Sequence, residues 1–192
     1  FIVCPQIHLV GQWEEDEINW GPPPIIAHSE SKNRYWNDEL IRAYKRFRNN
    51  GEPFVCITTN DTFSGRYISE IVSRLKDDQN VLLIIDEAHN FGAKRLTKCL
   101  PDNIQYRVGL SATIERHGDA KGTGILFDYF GSKCIVYDVD QAIKDGALTK
   151  YRYYPVPIYL NSEELYEYQN LTEKLKKFLV QKDGKVEISK DG

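Results

Sequence analysis

The 192-residue chain contains no methionine, and its four cysteines, Cys4, Cys56, Cys99 and Cys134, form no CxxC pair. Isolated cysteines argue against a disulfide framework or a paired metal knuckle. Three of them sit in apolar segments, so they read as buried, reduced thiols of a cytoplasmic protein. No apolar run approaches the ~20 residues that span a bilayer, and no signal-peptide pattern is present, so no membrane partner is expected. There is no basic tail and no polyacidic block, and 25 Lys+Arg against 28 Asp+Glu leave a net charge of −3. Nucleic acid, if bound, must therefore be held by a local groove rather than by bulk charge. His8, His28 and His117 lack partners at metal spacing and HExxH is absent, which argues against a zinc hydrolase. The missing methionine and a start at "FIVCP", already inside an apolar run, read as the interior of a longer polypeptide.

What is present is an alternation of short β-branched runs with longer amphipathic stretches, the pattern of a mainly parallel sheet with helices on both faces. Strands are expected at 1–4, 24–28, 54–58, 81–85, 106–110 and 133–137. In "WNDELIRAYKRF", Trp36, Leu40, Ala43, Tyr44 and Phe47 form one helical stripe, and Arg42, Lys45, Arg46 and Arg48 fall elsewhere as a solvated face. A second helix is expected over 64–76 with Ser64 as N-cap. Gly21 followed by three prolines stops a helix and stiffens the lead into the next strand. After about residue 146 the texture changes. "YRYYPVPIYL" carries two prolines and reads as an edge strand or connector. Asn161 with Glu164 then forms a capping box for a helix running from Ser162 to Val180, and the polar tail reads as a hairpin or a frayed end.

The chemistry concentrates in "VLLIIDEAHNF", residues 81–91. Five consecutive apolar side chains without polar alternation require cover on both faces, as in a central parallel strand. Their burial, worth at most ~1.5–3 kcal/mol each, would hold Asp86 and Glu87 rigidly at the strand's carboxyl end. Ligands bind at that edge in open α/β sheets, where an Asp is suited to Mg²⁺ on nucleotide phosphates and a Glu to polarising water. Acids capping the next helix are the plainer alternative. Asp86-Glu87-Ala88-His89 would arise by chance in such a chain on the order of once in a thousand. "VGLSAT" follows some 20 residues on, and Ser111 and Thr113 could hydrogen-bond His89. Trp13 lies on a helix with Leu9 and Gln12 and reads first as a packing aromatic. Thr58, Thr59 and Asn60 could donate to phosphates or form a turn of their own.

With these residues in view, the chain resembles the DEAD/DEAH-box helicases and translocases of superfamily two, nearest the type III restriction motor subunits and related repair helicases. "DEAH" at 86–89 is similar to motif II, "SAT" at 111–113 to motif III, "CPQIHLVGQWEED" at 4–16 to motif Ia and "ITT" at 57–59 to motif Ib. The resemblance implies a RecA-like P-loop NTPase fold over residues 1–146, with 147–192 leading into a second RecA-like domain of the same chain. It implies nucleic-acid-stimulated ATP hydrolysis, with ATP and Mg²⁺ as cofactors. DNA would be the track, with RNA as the alternative, and a nuclease or methyltransferase subunit a further partner. Asp86 would hold Mg²⁺ through water and Glu87 would be the catalytic base. His89, Ser111 and Thr113 would couple hydrolysis to movement, and Gln12, Thr58 and Thr59 would line the nucleic-acid track.

The match departs from the family in one large respect: no GxxxxGK[ST] phosphate loop occurs anywhere in the chain, and Ile114 stands where this branch often has proline. The loop is expected just ahead of Phe1, on a strand pairing between those that end in DEAH and SAT. Without it "VLLII" would be an unpaired apolar edge, prone to aggregation and poor at binding ATP. A degenerate, non-catalytic module that binds nucleic acid or a protein is the alternative function.

Overall fold

The computed structural model describes residues 1–15, 21–76, 80–182 and 185–188, with side chains described as far as residue 176. Five of the expected apolar runs become short strands: β1 (Ile2–Cys4), β2 (Ile25–Ala27), β3 (Cys56–Thr59), β4 (Leu82–Ile85) and β5 (Tyr106–Gly109). They pair in the order β2-β3-β1-β4-β5, every pair parallel. Between strands lie α1 (Ile7–Glu15), α2 (Trp36–Asn50), α3 (Asn60–Phe63), α4 (Arg66–Ser73), a 3-10 turn (Ala88–Gly92) and α5 (Lys94–Thr97). After β5 comes α6 (Ala120–Phe130).

The period of two along each strand sorts its side chains between two layers. Val3, Cys56, Leu83 and Ile85 join the larger core, which also takes Leu40 and Tyr44 of α2 and Ile68 of α4. Ile2, Cys4, Ile57 and Ile84 face the other way, against Val10, Leu9 and Trp13 of α1. Helices thus cover both faces of a parallel sheet, an α/β arrangement consistent with a RecA-like fold.

Several expectations are corrected. β4 is not an edge: β1 pairs with it on one side (Ile2↔Ile84, Val3↔Ile85) and β5 on the other (Ile85↔Gly109). The strand that ends ahead of Ser111 pairs directly with β4 where a phosphate-loop strand was expected between them, and β1 fills the other flank, so the run with least polar alternation has neighbours on both sides. The open edge is that of β5, whose Tyr106 and Val108 are 50% and 40% exposed. The run 133–137 forms no strand, and Ile135 and Val136 lie in the open. β-propensity needs a ladder partner, and among the described residues this segment has none. The helix expected over 64–76 begins at Arg66, because Ser64 closes α3 by donating its N–H to the Asn60 carbonyl (3.0 Å). By contrast α2 runs past the expected Phe47 to Asn50, where left-handed Gly51 (φ 71°) donates back to Phe47. Arg42, Lys45, Arg46 and Arg48 of α2 are exposed, and Arg46 pairs with Glu52 (3.2 Å).

The chain divides into two compact units, Phe1–Ile135 and Val136–Gly192. Within the second, α7 (Val139–Lys144) is capped by Asp138, which accepts from Gln141 N–H (2.8 Å). α8 (Ser162–Phe178) opens on the expected capping box: Glu164 N–H donates to Asn161 Oδ1 (3.0 Å) and Asn161 N–H to Glu164 Oε2 (2.9 Å). Residues 151–160 form no regular element and are exposed. The tail makes an antiparallel hairpin of β6 (Leu179–Lys182) and β7 (Lys185–Ile188); its Asp183-Gly184 turn lies outside the described residues. No described helix is long and apolar enough to cross a membrane.

The thiols divide by burial. Cys4 and Cys56 are fully buried, Cys99 is half-buried, and Cys134, expected inside a strand, is exposed. Burial pushes the Cys4 and Cys56 thiols up to about 12, with the Asp86 carboxylate adding to the effect at Cys4. The folded chain keeps these protons where an unfolded thiol would release them. Stability is therefore flat below the ordinary thiol pKa near 9 and falls as pH rises from there through about 12. Circular dichroism against pH checks this, and Cys4→Ala should flatten the alkaline decline. A thiol reagent should label Cys134 first, then Cys99, and reach Cys4 and Cys56 only on unfolding.

Candidate functional site

Because all five strands are parallel, the loops that follow them emerge at one edge of the sheet. At the end of β4, Asp86 N–H donates to the Val3 carbonyl (2.8 Å), carrying the β1 ladder one residue past the strand. The Asp86 carboxylate is held from two sides. Oδ1 accepts from Glu87 N–H (2.9 Å) and Oδ2 from the Trp13 indole Nε1–H (3.1 Å). Trp13 is thus more than a packing aromatic: its ring lies in the α1 layer and its one donor holds the acid at the end of β4.

Glu87 is the only described non-glycine residue with a positive φ (48°, ψ 50°). A side chain in that region costs ~1–3 kcal/mol and persists only where its surroundings enforce it. The enforcement is visible. Asn90 donates to the Glu87 carbonyl twice, from its backbone N–H (2.9 Å) and from Nδ2 (3.0 Å), while Ala88 N–H reaches the Leu110 carbonyl (2.8 Å). The reversal turns the Glu87 side chain away from Asp86 and toward His89, whose Nδ1 is 3.2 Å from Glu87 Oε2. The same nitrogen is 3.0 Å from Ser111 Oγ. A carboxylate only accepts, so Nδ1 carries the proton whenever this pair is engaged. The Glu87 side chain stays 40% exposed and open to a water molecule.

Ser111 therefore meets His89 as the spacing anticipated, and Thr113 does not. Thr113 is exposed, and its backbone N–H donates to Ser111 Oγ (3.2 Å), so it supports Ser111 rather than His89. Of the residues expected along a nucleic-acid track, Gln12 is exposed on α1 beside Trp13. Thr58 is fully buried and its hydroxyl donates to the Ala27 carbonyl (2.7 Å), bracing β3 against β2. Alternation along β3 puts it inside the larger core layer. Thr59 is spent locally, accepting from Thr62 N–H (3.3 Å) and donating to Thr62 Oγ1 (3.0 Å) as the cap of α3. The turn alternative describes Thr59, whose hydroxyl bonds Thr62, while Thr58 bonds across strands. Asn60 follows, buried, with Oδ1 lacking a hydrogen-bond partner.

Mg²⁺ prefers hard oxygen ligands and keeps most of its waters. Asp86 fits that role, since each of its oxygens has one N–H donor and a lone pair to spare. Among the described residues no cluster of three or more His, Cys, Asp or Glu could cage an ion.

No curated protein matches the chain. Residues 1–116, more than half of it, match the family model described as "Type III restriction enzyme, res subunit". The chain therefore belongs to that family, as a superfamily-two helicase-like domain of the ATP-dependent, nucleic-acid-engaging kind.

Proposed function

We propose that this chain forms most of the first RecA-like lobe of an ATP-driven nucleic-acid motor, with residues 147–192 leading toward a second lobe. The observation that carries the reading is the chain of contacts Trp13–Asp86–Glu87–His89–Ser111 along the carboxyl edge of the sheet. Mg²⁺, when bound, neutralises charge on the transferred phosphoryl group. Asp86 would hold it, and Glu87 would take the proton of the attacking water. His89 and Ser111 pass the state of that carboxylate to the loop after β5, and DNA is the track.

The sheet also suggests where a phosphate-gripping loop belongs. β4 has both neighbours, so any further strand would join at β5 or at β2. At roughly 4.8 Å per strand, a partner of β5 lies ~10 Å from β4, while a partner of β2 lies ~19 Å away. Only the β5 side brings a loop at its carboxyl end close to Asp86, and the open flank of β5 is the one that needs cover.

The test is ATP hydrolysis by the full-length protein with and without DNA, together with DNA binding across a salt series. Hydrolysis should be stimulated, and affinity should fall at least tenfold between 50 and 200 mM salt, because phosphate contacts release counterions. Salt-independent binding without stimulation would instead favour a non-catalytic module with a protein partner.

A further inference from the structure

Arg116 lies five residues beyond Ser111 and holds the other end of the same histidine. Its Nη1 donates to the His89 carbonyl, its Nε donates to Asp119 Oδ2 (2.9 Å), and its backbone N–H donates to Thr123 Oγ1 (2.9 Å). Asp119 works at both oxygens, since Oδ1 caps α6 by accepting from Gly122 N–H (2.8 Å). The guanidinium is mostly buried, at 22% exposure of its side chain. Two glycines make room for the pair. A Cβ on Gly92, the last residue of the 3-10 turn, would run into Arg116 Cδ. One on Gly122 would collide with the Asp119 carboxylate and stand 2.7 Å from the Gly92 carbonyl. This is a fitted cradle, and a surface ion pair would not need it.

We infer that Arg116 is a positioning residue: with Ser111 on the imidazole and Arg116 on the carbonyl, the loop after β5 grips His89 at both ends and through it sets the Glu87 carboxylate. The inference rests on the reading of Glu87 as the base. The two grips come from one short loop, so a displacement of that loop moves ring and backbone of His89 together. Arginine suits the task better than lysine, because its rigid fork reaches the Asp119 carboxylate and the His89 carbonyl from two separate nitrogens, whereas lysine offers both bonds from one nitrogen on a flexible stem.

The experiment uses the full-length protein. Arg116→Ala should lower kcat for DNA-stimulated ATP hydrolysis about tenfold or more while KM for ATP stays within about twofold. Arg116→Lys should fail to restore it, and as the milder change it serves if the alanine variant does not fold. In a His89→Ala background the link to Glu87 is already gone, so Arg116→Ala should cost less than about a further twofold. Fully additive losses would overturn the inference and leave Arg116 a purely structural group. A readout without turnover separates this from the functional reading: the ring resonances of ¹³C-labelled His89. They should move in Arg116→Ala about as far as in Ser111→Ala, with the exposed Arg46→Ala as control. Unmoved ring signals would overturn the inference even in an active enzyme. Moved signals in a protein that hydrolyses no ATP would keep the grip on His89 and discard the motor.

Discussion

Glu87→Gln should lower nucleic-acid-stimulated ATP hydrolysis by about 10²- to 10⁴-fold and leave ATP affinity nearly unchanged. The magnitude is that of removing a general base. The selectivity follows from the geometry. Glutamine keeps the length and shape of glutamate, and its carbonyl oxygen can still accept from His89 Nδ1–H, now 3.2 Å from the carboxylate. The left-handed backbone is held by Asn90 and by Asp86 Oδ1, neither of which touches the side chain of residue 87. Only the ability to take a proton is lost. Phosphate release at saturating DNA measures the rate, and equilibrium titration with ATP measures the affinity. Turnover within a few-fold of the parent protein would sink the assignment of Glu87 as base. A large parallel loss of ATP affinity would mean that the substitution disturbed Asp86 instead.

How far the sequence could be read depends on whether a feature is local or needs a distant partner. β4 and the acids behind it were legible because five apolar residues in a row have few alternatives to a doubly covered strand. The Asn161–Glu164 capping box was legible because both partners lie within four residues. The partner of Thr58 was not legible, because its hydroxyl goes to Ala27, 31 positions away, and only the pairing of β2 with β3 says so. The run 133–137 has the composition of a strand but no ladder partner among the described residues. The neighbours of β4 were misassigned for a related reason: composition says that a strand is central and is silent about which strands flank it. At the site, the approach of Ser111 to His89 could be anticipated from DEAH and SAT. Trp13 at Asp86 and Arg116 at His89 could not. Each joins segments more than 25 residues apart through a single hydrogen bond, which leaves no periodicity to detect.

Phe91→Ala should cost about 3–5 kcal/mol of stability, a large share of the 5–15 kcal/mol that holds a typical domain together. Phe91 is fully buried and stands among the largest such side chains. Its ring meets Phe63 edge-on at a centroid distance of 6.2 Å, and its carbonyl accepts from Thr97 Oγ1 (2.8 Å). It lies in the larger core layer, yet it belongs to the 3-10 turn that carries His89, two residues before it. The residue therefore anchors that turn from below while Ser111 and Arg116 hold it from the side. Urea unfolding should show a much lower midpoint with an unchanged slope, and Phe91→Leu should recover most of the loss because it leaves a smaller cavity. A loss below about 1 kcal/mol for the alanine variant would mean that α3 and α5 close over the gap and that the turn does not depend on this anchor. Together with Glu87→Gln the variant separates two properties of one short segment. The glutamine should leave the unfolding midpoint in place and remove the chemistry. The alanine should shift the midpoint and leave proton transfer intact in whatever fraction remains folded, because the Phe91 side chain is buried in the larger core layer.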